Sequence, residues 1–207
     1  MRTGAVSGLA TDLLARKDAH TLALLGSGAQ AWSHLEAISC VRDLQDVAVY
    51  DVDAARALAF ATKAAQRFHL PVRAAKTVGD ATATADVICT VTNAKTPILD
   101  ASQVKPGAHI NAVGAYSKTS REIASDLVAA SRLYADRMDS ILSEGGEFLL
   151  ARSEGLITDS HIVGDLGGLL LGEIPSRTDE NQITLFDAHG LAVEDVACVK
   201  WLYQNAG

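Results

Sequence analysis

A chain of 207 residues, 48% hydrophobic and 21% charged, is long enough to fill one core and too apolar to stay unfolded. Its net charge of −7 supplies no basic footprint for nucleic acid or an anionic bilayer, so neither is expected as a partner. No apolar run approaches the roughly 20 residues of a membrane span, and the N-terminus lacks the continuous apolar stretch of a secretory signal; a cytoplasmic location is expected.

Residues 1–20 read as a lead-in helix, amphipathic over 3–16 with Val6, Leu9 and Leu13 on one face. The apolar run TLALLG (21–26) is the first strand, and a helix from 29 to 40 follows it. DVAVYD (46–51) is the second strand, and the Ala-rich stretch 53–70 has the three-and-four spacing of a second helix. PVRAA (71–75), DVICTVT (86–92), GAHINAV (107–113) and RLYAD (132–136) complete six β-like runs. Strands alternating with helices predict right-handed βαβ units and a parallel sheet. The near-continuous apolarity of the strands fits a sheet covered on both faces. Residues 21–140 are therefore expected to form an α/β domain, and 141–207 a helical segment completing it. The closing helix carries Leu191, Val193, Val196, Val199, Trp201 and Leu202 around most of its circumference, so it needs partners on more than one side.

Cys40, Cys89 and Cys198 are far apart and odd in number, which predicts buried, reduced thiols. The six histidines show no metal-ligand spacing, so no metal site is expected.

The junction of the first strand and helix carries the chemistry. Gly26-Ser27-Gly28-Ala29-Gln30-Ala31 is a G-x-G-x-x-A form of the dinucleotide fingerprint, set between a strand and a helix. Gly26 permits the tight turn, Gly28 lets a pyrophosphate approach the backbone, and Ala31 lets helix and strand pack closely. The helix N-terminus favours phosphate charge. Asp51 ends the second strand twenty residues after Ala31, placed to accept hydrogen bonds from a ribose and to repel a 2′-phosphate. This favours NAD(H) over NADP(H); the alternative makes Asp51 a strand-end turn residue. Asp53 reads as the cap of the next helix. Thr92 and Asn93 follow the fourth strand and Asn111 to Gly114 the fifth, where a doubly wound sheet binds its ligand. For Thr92 and Asn111, capping or turn hydrogen bonding is the alternative.

The segments RTGAVSGLAT, LGSGAQAWSHLEAI, VYDVD, HINAVGA, GDLGGLLLGEIPSR and ITLFDAHGLAVEDVA, in this order, resemble the ornithine cyclodeaminase/mu-crystallin family over essentially the whole chain. The resemblance implies a Rossmann-type doubly wound sheet whose C-terminal helices pack on a second domain. It implies NAD as cofactor, a small amino acid or cyclic imine as substrate, and allows a homodimer. By position, Gly26, Gly28, Ala29, Gln30, Asp51, Thr92, Ile110, Asn111, Ala112, Val113 and Thr119 match cofactor contacts. Arg2 matches an arginine lying against cofactor and substrate, where a cation neutralises pyrophosphate or carboxylate; a solvated terminal arginine is the alternative. Gly190 and Leu191 match positions near the nicotinamide and substrate.

Three departures bear on the reaction. Cyclodeaminases of the family carry an aspartate where this chain has Tyr116 in Gly114-Ala115-Tyr116. A phenol exchanges protons poorly at neutrality, since phenols titrate near about 10, so hydride transfer is expected rather than deaminating cyclisation. The sequence LFDAHG, with Asp187, Ala188 and His189, replaces the Lys-Ser of many relatives; His189 is expected to be a solvent-facing loop residue, with an acid/base role as the alternative. Family chains also run longer, with an N-terminal substrate and dimerisation domain supplying a lysine, so the sequence is expected to be a fragment, a truncated product or a short variant of such a chain. The function expected is an NAD(H)-dependent imine reductase or amino-acid dehydrogenase. An ornithine cyclodeaminase and a non-catalytic NAD(H)-binding module are the alternatives.

Overall fold

The computed structural model describes residues 2–205. Among them eight strands form one all-parallel sheet: β1 (Thr21–Leu25), β2 (Asp46–Tyr50), β3 (Val72–Ala74), β4 (Val87–Thr90), β5 (His109–Ala112), β6 (Ser131–Ala135), β7 (Ile162–Asp165) and β8 (Ile183–Asp187). Their spatial order is β3-β2-β1-β4-β5-β8-β6-β7. The order reverses at β1, with β2 on one side and β4 on the other. That reversal opens a crevice beyond the strands' carboxyl ends, where both neighbouring loops turn away.

Helices cover both faces, which is why the central strands are apolar on both sides. Ile88, Ile110 and Leu185 pack into one core under α5 (Ser125–Ala130) and α7 (Gly146–Ser153). Leu22, Leu24, Val47, Val49 and Cys89 pack into another under α2 (Ala29–Ser39) and α3 (Ala54–Phe68). Asp53 caps α3, its carboxylate accepting from the Ala55 and Arg56 amides. The leading helix α1 (Arg2–Leu14) lies on α2 through small residues. A Cβ added at Gly4 would stand 2.9 Å from the Ser33 Cβ, and one at Gly8 3.1 Å from the Ala37 Cβ.

All six β-like runs are strands, but three expectations need correction. Residues 141–207 are not simply helical, because they contribute β7 and β8. β8 lies between β5 and β6, pairing with both, so the segment completes the sheet with strands as well as helices. The five-residue apolar run ITLFD has no periodicity that distinguishes strand from helix; its burial on both faces makes it an interior strand. In α1 the fully enclosed face carries Ser7, Gly8, Ala10, Thr11 and Leu14, while Val6, Leu9 and Leu13 are only partly buried, against the side of the core holding Tyr134 and Phe186. Of the three cysteines only Cys89 is buried; Cys40 is exposed and Cys198 partly so.

The last helix, α9 (Ala192–Asn205), has no buried residue, and Val193, Val196, Val199, Trp201 and Tyr203 are all exposed. No helix among the described residues is long and apolar enough to cross a membrane. No group of three or more described His, Cys, Asp or Glu side chains is placed to hold a metal ion.

Candidate functional site

The loop leaving β1 forms one wall of a cleft of about 380 Å³, with Tyr50, Asp51, Val91, Thr92 and Ile98 around it. Gly26 adopts φ +107°, donates its N–H to the Tyr50 carbonyl at 2.7 Å, and would drive a Cβ to 2.8 Å from the Val91 oxygen. Only glycine fits there. At Gly28 nothing stands within 4 Å of an added Cβ, so the backbone is open to a ligand. Gly28 is also the N-cap of α2 and provides no side-chain cap. The first amides of the helix therefore remain for an anion, which the helix dipole favours.

Asp51 reaches the same cleft from the end of β2. Its Oδ2 accepts from the Ser27 amide at 3.0 Å and the Ser27 hydroxyl at 2.5 Å, and its Oδ1 accepts from the Asp53 amide at 3.0 Å. Burial would raise its pKa, but these hydrogen bonds outweigh burial and hold the carboxyl below the usual range. Asp51 is thus ionised, ties the glycine loop to β2, and keeps lone pairs for further donors.

Beyond the ends of β4 and β5 the cleft continues into a second one of about 270 Å³, sharing Val91, Thr92 and Asn93 with the first. Arg2, Gln30, Val113, Gly114, His189 and Gly190 help to enclose it. Arg2 enters from the start of α1, donating from Nη1 to the Leu191 carbonyl at 3.3 Å and pairing with Asp195 at 3.2 Å. Gly190, at φ +81°, leaves room for that guanidinium, since a Cβ would lie 3.0 Å from Nη2. Tyr116 stands at the rim, highly exposed.

A fully buried carboxylate fixes the loops between these clefts. Glu122 Oε1 accepts from the Thr92 amide at 2.8 Å and the Thr92 hydroxyl at 2.5 Å, and Oε2 accepts from the Gly114 amide at 2.8 Å. Its own amide donates to Glu147 Oε1 at 2.8 Å, and the Ile123 amide to Glu147 Oε2 at 3.0 Å. Burial raises the pKa of Glu122, with the hydrogen bonds from Thr92 and Gly114 opposing, and burial raises that of Glu147, with Asp187 adding to it. Sequence reasoning did not single out these two acids as site residues. A Glu three positions before a helix, as Glu122 is, carries no motif, and only the paired loops reveal its role.

His189 departs from the solvent-facing expectation. Its side chain is 3% exposed, with Nε2 3.6 Å from Asp187 Oδ1 and Nδ1 3.9 Å from Asp136 Oδ1. Neither ring nitrogen has a hydrogen-bond partner, nor has either Asp187 oxygen. The loop turns inward because Asp136 Oδ2 accepts from both the His189 and the Gly190 amides at 2.7 Å.

The structure thus brings Gly26, Gly28, Asp51 and Thr92 to the first cleft and Arg2, Gln30, Thr92, Val113 and Gly190 to the second. Thr119 lines an adjoining pocket with Lys95 and Tyr116. Ala29 is exposed on the first turn of α2, and the Leu191 carbonyl holds Arg2. Ile110, Asn111 and Ala112 are not brought to either cleft, because they are interior strand residues. Asn111 is fully buried, donating to Thr11 Oγ1 at 3.0 Å and meeting His109 Nε2 at 3.3 Å. Burial pushes His109 down to about 3, so that network is uncharged.

The model of the ornithine cyclodeaminase/mu-crystallin family matches residues 1–207. A Delta(1)-pyrroline-2-carboxylate reductase of Bacillus cereus is 36% identical over 207 residues, covering 100% of this chain and 63% of its own length. The structure of the Thermococcus litoralis Delta(1)-pyrroline-2-carboxylate reductase in complex with NADH and L-proline superposes with a TM-score of 0.96 at 34% identity, over 99% of this chain and 64% of that one. An archaeal alanine dehydrogenase dimer with bound NAD gives 0.92 at 31% identity, over 99% and 62%. The chain therefore spans less than two thirds of the length of these relatives. The glycine-cradled crevice, the acid at the end of β2 and the match across all 207 residues lead to one conclusion: this chain belongs to the ornithine cyclodeaminase/mu-crystallin family.

Proposed function

We propose that the chain holds NAD(H) in the first cleft and takes part in hydride transfer to or from a small amino acid or cyclic imine in the second. The observation that carries this reading is the continuity of the two clefts through Val91, Thr92 and Asn93. The first offers uncapped helix amides at Gly28 and an ionised Asp51, which suit a pyrophosphate and a ribose. The second offers the Arg2 guanidinium, which suits the carboxylate of an amino acid. When bound, the nicotinamide would accept or donate the hydride.

The chain's own residues supply position and charge. Asp51 orders the glycine loop through Ser27 and excludes a 2′-phosphate by repulsion. Glu122 holds Thr92 and Gly114 at a fixed separation, so the passage between the clefts keeps its width. Tyr116, exposed at the rim, presents no carboxylate for a deaminating proton transfer, which favours imine reduction or amine oxidation over cyclodeamination. A second copy of the chain is the partner we assign to the exposed apolar residues of α9. The support is that face itself and the dimer recorded for the alanine dehydrogenase.

The test is NADH consumption by the chain with pyrroline-2-carboxylate. Stoichiometric loss of NADH with formation of proline supports the reading. Binding of NADH without turnover makes the chain a cofactor-holding module, and ammonia release from ornithine without net NADH consumption makes it a cyclodeaminase.

A further inference from the structure

The second cleft adjoins a pocket of about 350 Å³ formed by the loops that leave β4 and β5. Asn93, Gly114 and Tyr116 line both, whereas only Asn93 and Ala94 are common to the pocket and the first cleft. Lys95 lines the pocket from the middle of the β4 loop, and the β5 loop contributes Ser117 and Thr119. Both ends of the Lys95 loop are fastened to Glu122. The Thr92 amide donates to the Glu122 carboxylate at 2.8 Å, and the Ile98 amide to the Glu122 carbonyl at 2.7 Å. The Ala94 amide donates to the Thr92 hydroxyl at 3.0 Å, which sets the turn leading to Lys95.

Lys17 and Lys105 each pair with an aspartate, whereas Lys95 forms no ion pair among the described residues. No described Asp or Glu lines the pocket or the second cleft, although the chain carries a net charge of −7. Arg2 keeps Asp195 at 3.2 Å and Glu194 at 3.9 Å, but neither acid lines the hollow. The joined space thus presents two cations, Arg2 and Lys95, and no carboxylate on its wall.

We infer that Lys95 binds the distal anionic group of the substrate, which is an amino acid or imine with two carboxylates, the first on Arg2 and the second on Lys95. This rests on the reading of the second cleft as the substrate site. A carboxylate entering the pocket meets a lysine with no competing acid, so no existing ion pair has to break. The Ser117 and Thr119 hydroxyls supply further donors for its lone pairs. Because Glu122 pins both ends of the loop, little loop freedom remains to be lost on binding. The same charge disfavours the distal ammonium of a diamino acid, since like charges repel as strongly as opposite charges attract. Lys95 therefore sets specificity and takes no part in the hydride transfer. A cofactor phosphate is the other anion that could reach it, through Asn93 and Ala94; the continuity of the pocket with the Arg2 cleft through Gly114 and Tyr116 favours the substrate.

The experiment is calorimetric titration of the NADH-loaded chain with L-aspartate and L-glutamate, beside L-proline and pyrrole-2-carboxylate, a planar monoanion that cannot be reduced. NADH and amino acids are both reduced, so no turnover disturbs the readings. The inference predicts that one of the diacids binds about tenfold more tightly than the monoanions, the effect of a hydrogen bond to a charged group. Lys95→Gln should remove that preference and leave the affinities for L-proline and NADH unchanged; Lys95 is exposed, so the variant keeps its fold. Lys95→Glu should turn the preference toward L-ornithine, whose distal group is an ammonium. Monoanions that bind as tightly as the diacids, or a preference that survives Lys95→Gln, overturn the role of Lys95 and leave the substrate reading standing. An NADH-loaded chain that binds none of the four ligands overturns the substrate reading, and this inference with it. Loss of NADH affinity in Lys95→Gln would assign the lysine to a cofactor phosphate and overturn the inference.

Discussion

Glu122 controls the geometry of a cleft that its side chain does not enter. Three donors from two loops converge on its carboxylate, so Glu122→Gln must turn an amide N–H toward one of them and leave a buried clash of donors. The variant should lose about 2 kcal/mol of stability and bind NADH several-fold more weakly, as read by denaturant unfolding and by calorimetry. Unchanged affinity would show that the Thr92–Gly114 spacing does not matter to the cofactor. Asp51→Ala removes both the ribose acceptor and the anchor of Ser27. It should weaken NADH binding by about 10- to 100-fold, the effect of a lost hydrogen bond to a charged group, and reduce discrimination against NADPH. Asp51 was legible because its spacing from the glycine loop is a sequence property. Glu122 and Glu147 were not, since their meaning arises from a fold that brings together loops thirty residues apart. His189 was misread for the same reason: Asp136, which turns the loop inward, lies 53 positions away.

At the scale of elements, the alternation of strand and helix from 21 to 136 is readable because most of the apolar runs are followed by a helix of different period. Asn111 shows the limit of that reading. It sits at a strand end in sequence, yet its buried side chain bonds Thr11 of α1, a helix whose docking no local pattern announces. The close approach of α1 to α2 depends on Gly4 and Gly8. Gly8→Val should therefore cost about 1–3 kcal/mol through overpacking and move Arg2, at the head of α1, away from Gly190. Unfolding measurements check the first effect and pyrrole-2-carboxylate affinity the second. For α9, Val196→Asp combined with Val199→Asp should shift sedimentation toward the monomer without changing NADH affinity. A mass unchanged from that of a dimeric parent would remove α9 from the interface.

Across the whole molecule, two sets of carboxylates pull the pH dependence of stability in opposite directions. Asp86 is held far below its usual range: burial opposes, but hydrogen bonds from Lys105, the His20 amide and Thr21 prevail. The folded state therefore binds fewer protons at Asp86, and its stabilisation is present above the ordinary carboxylate range and lost as pH falls through the lowered value. Glu122, Glu147 and Asp187 are raised by burial, so the folded state binds more protons there and their contribution fades as pH rises. The melting temperature should peak at mildly acidic pH and decline toward alkaline pH. Glu147→Gln should flatten that decline while leaving the acid limb, set by groups such as Asp86, in place. A variant whose alkaline limb matches the parent's would show that this acid does not carry the linkage.

The central claim is that the crevice beyond β1, β2 and β4 holds a dinucleotide. Calorimetric titration of the chain with NADH, repeated with NADPH and with Asp51→Ala, tests it most directly. Saturable one-to-one binding of NADH, weaker binding of NADPH and loss of that preference in the variant are the predicted results. Absence of saturable NADH binding, or an affinity indifferent to Asp51, would contradict the account.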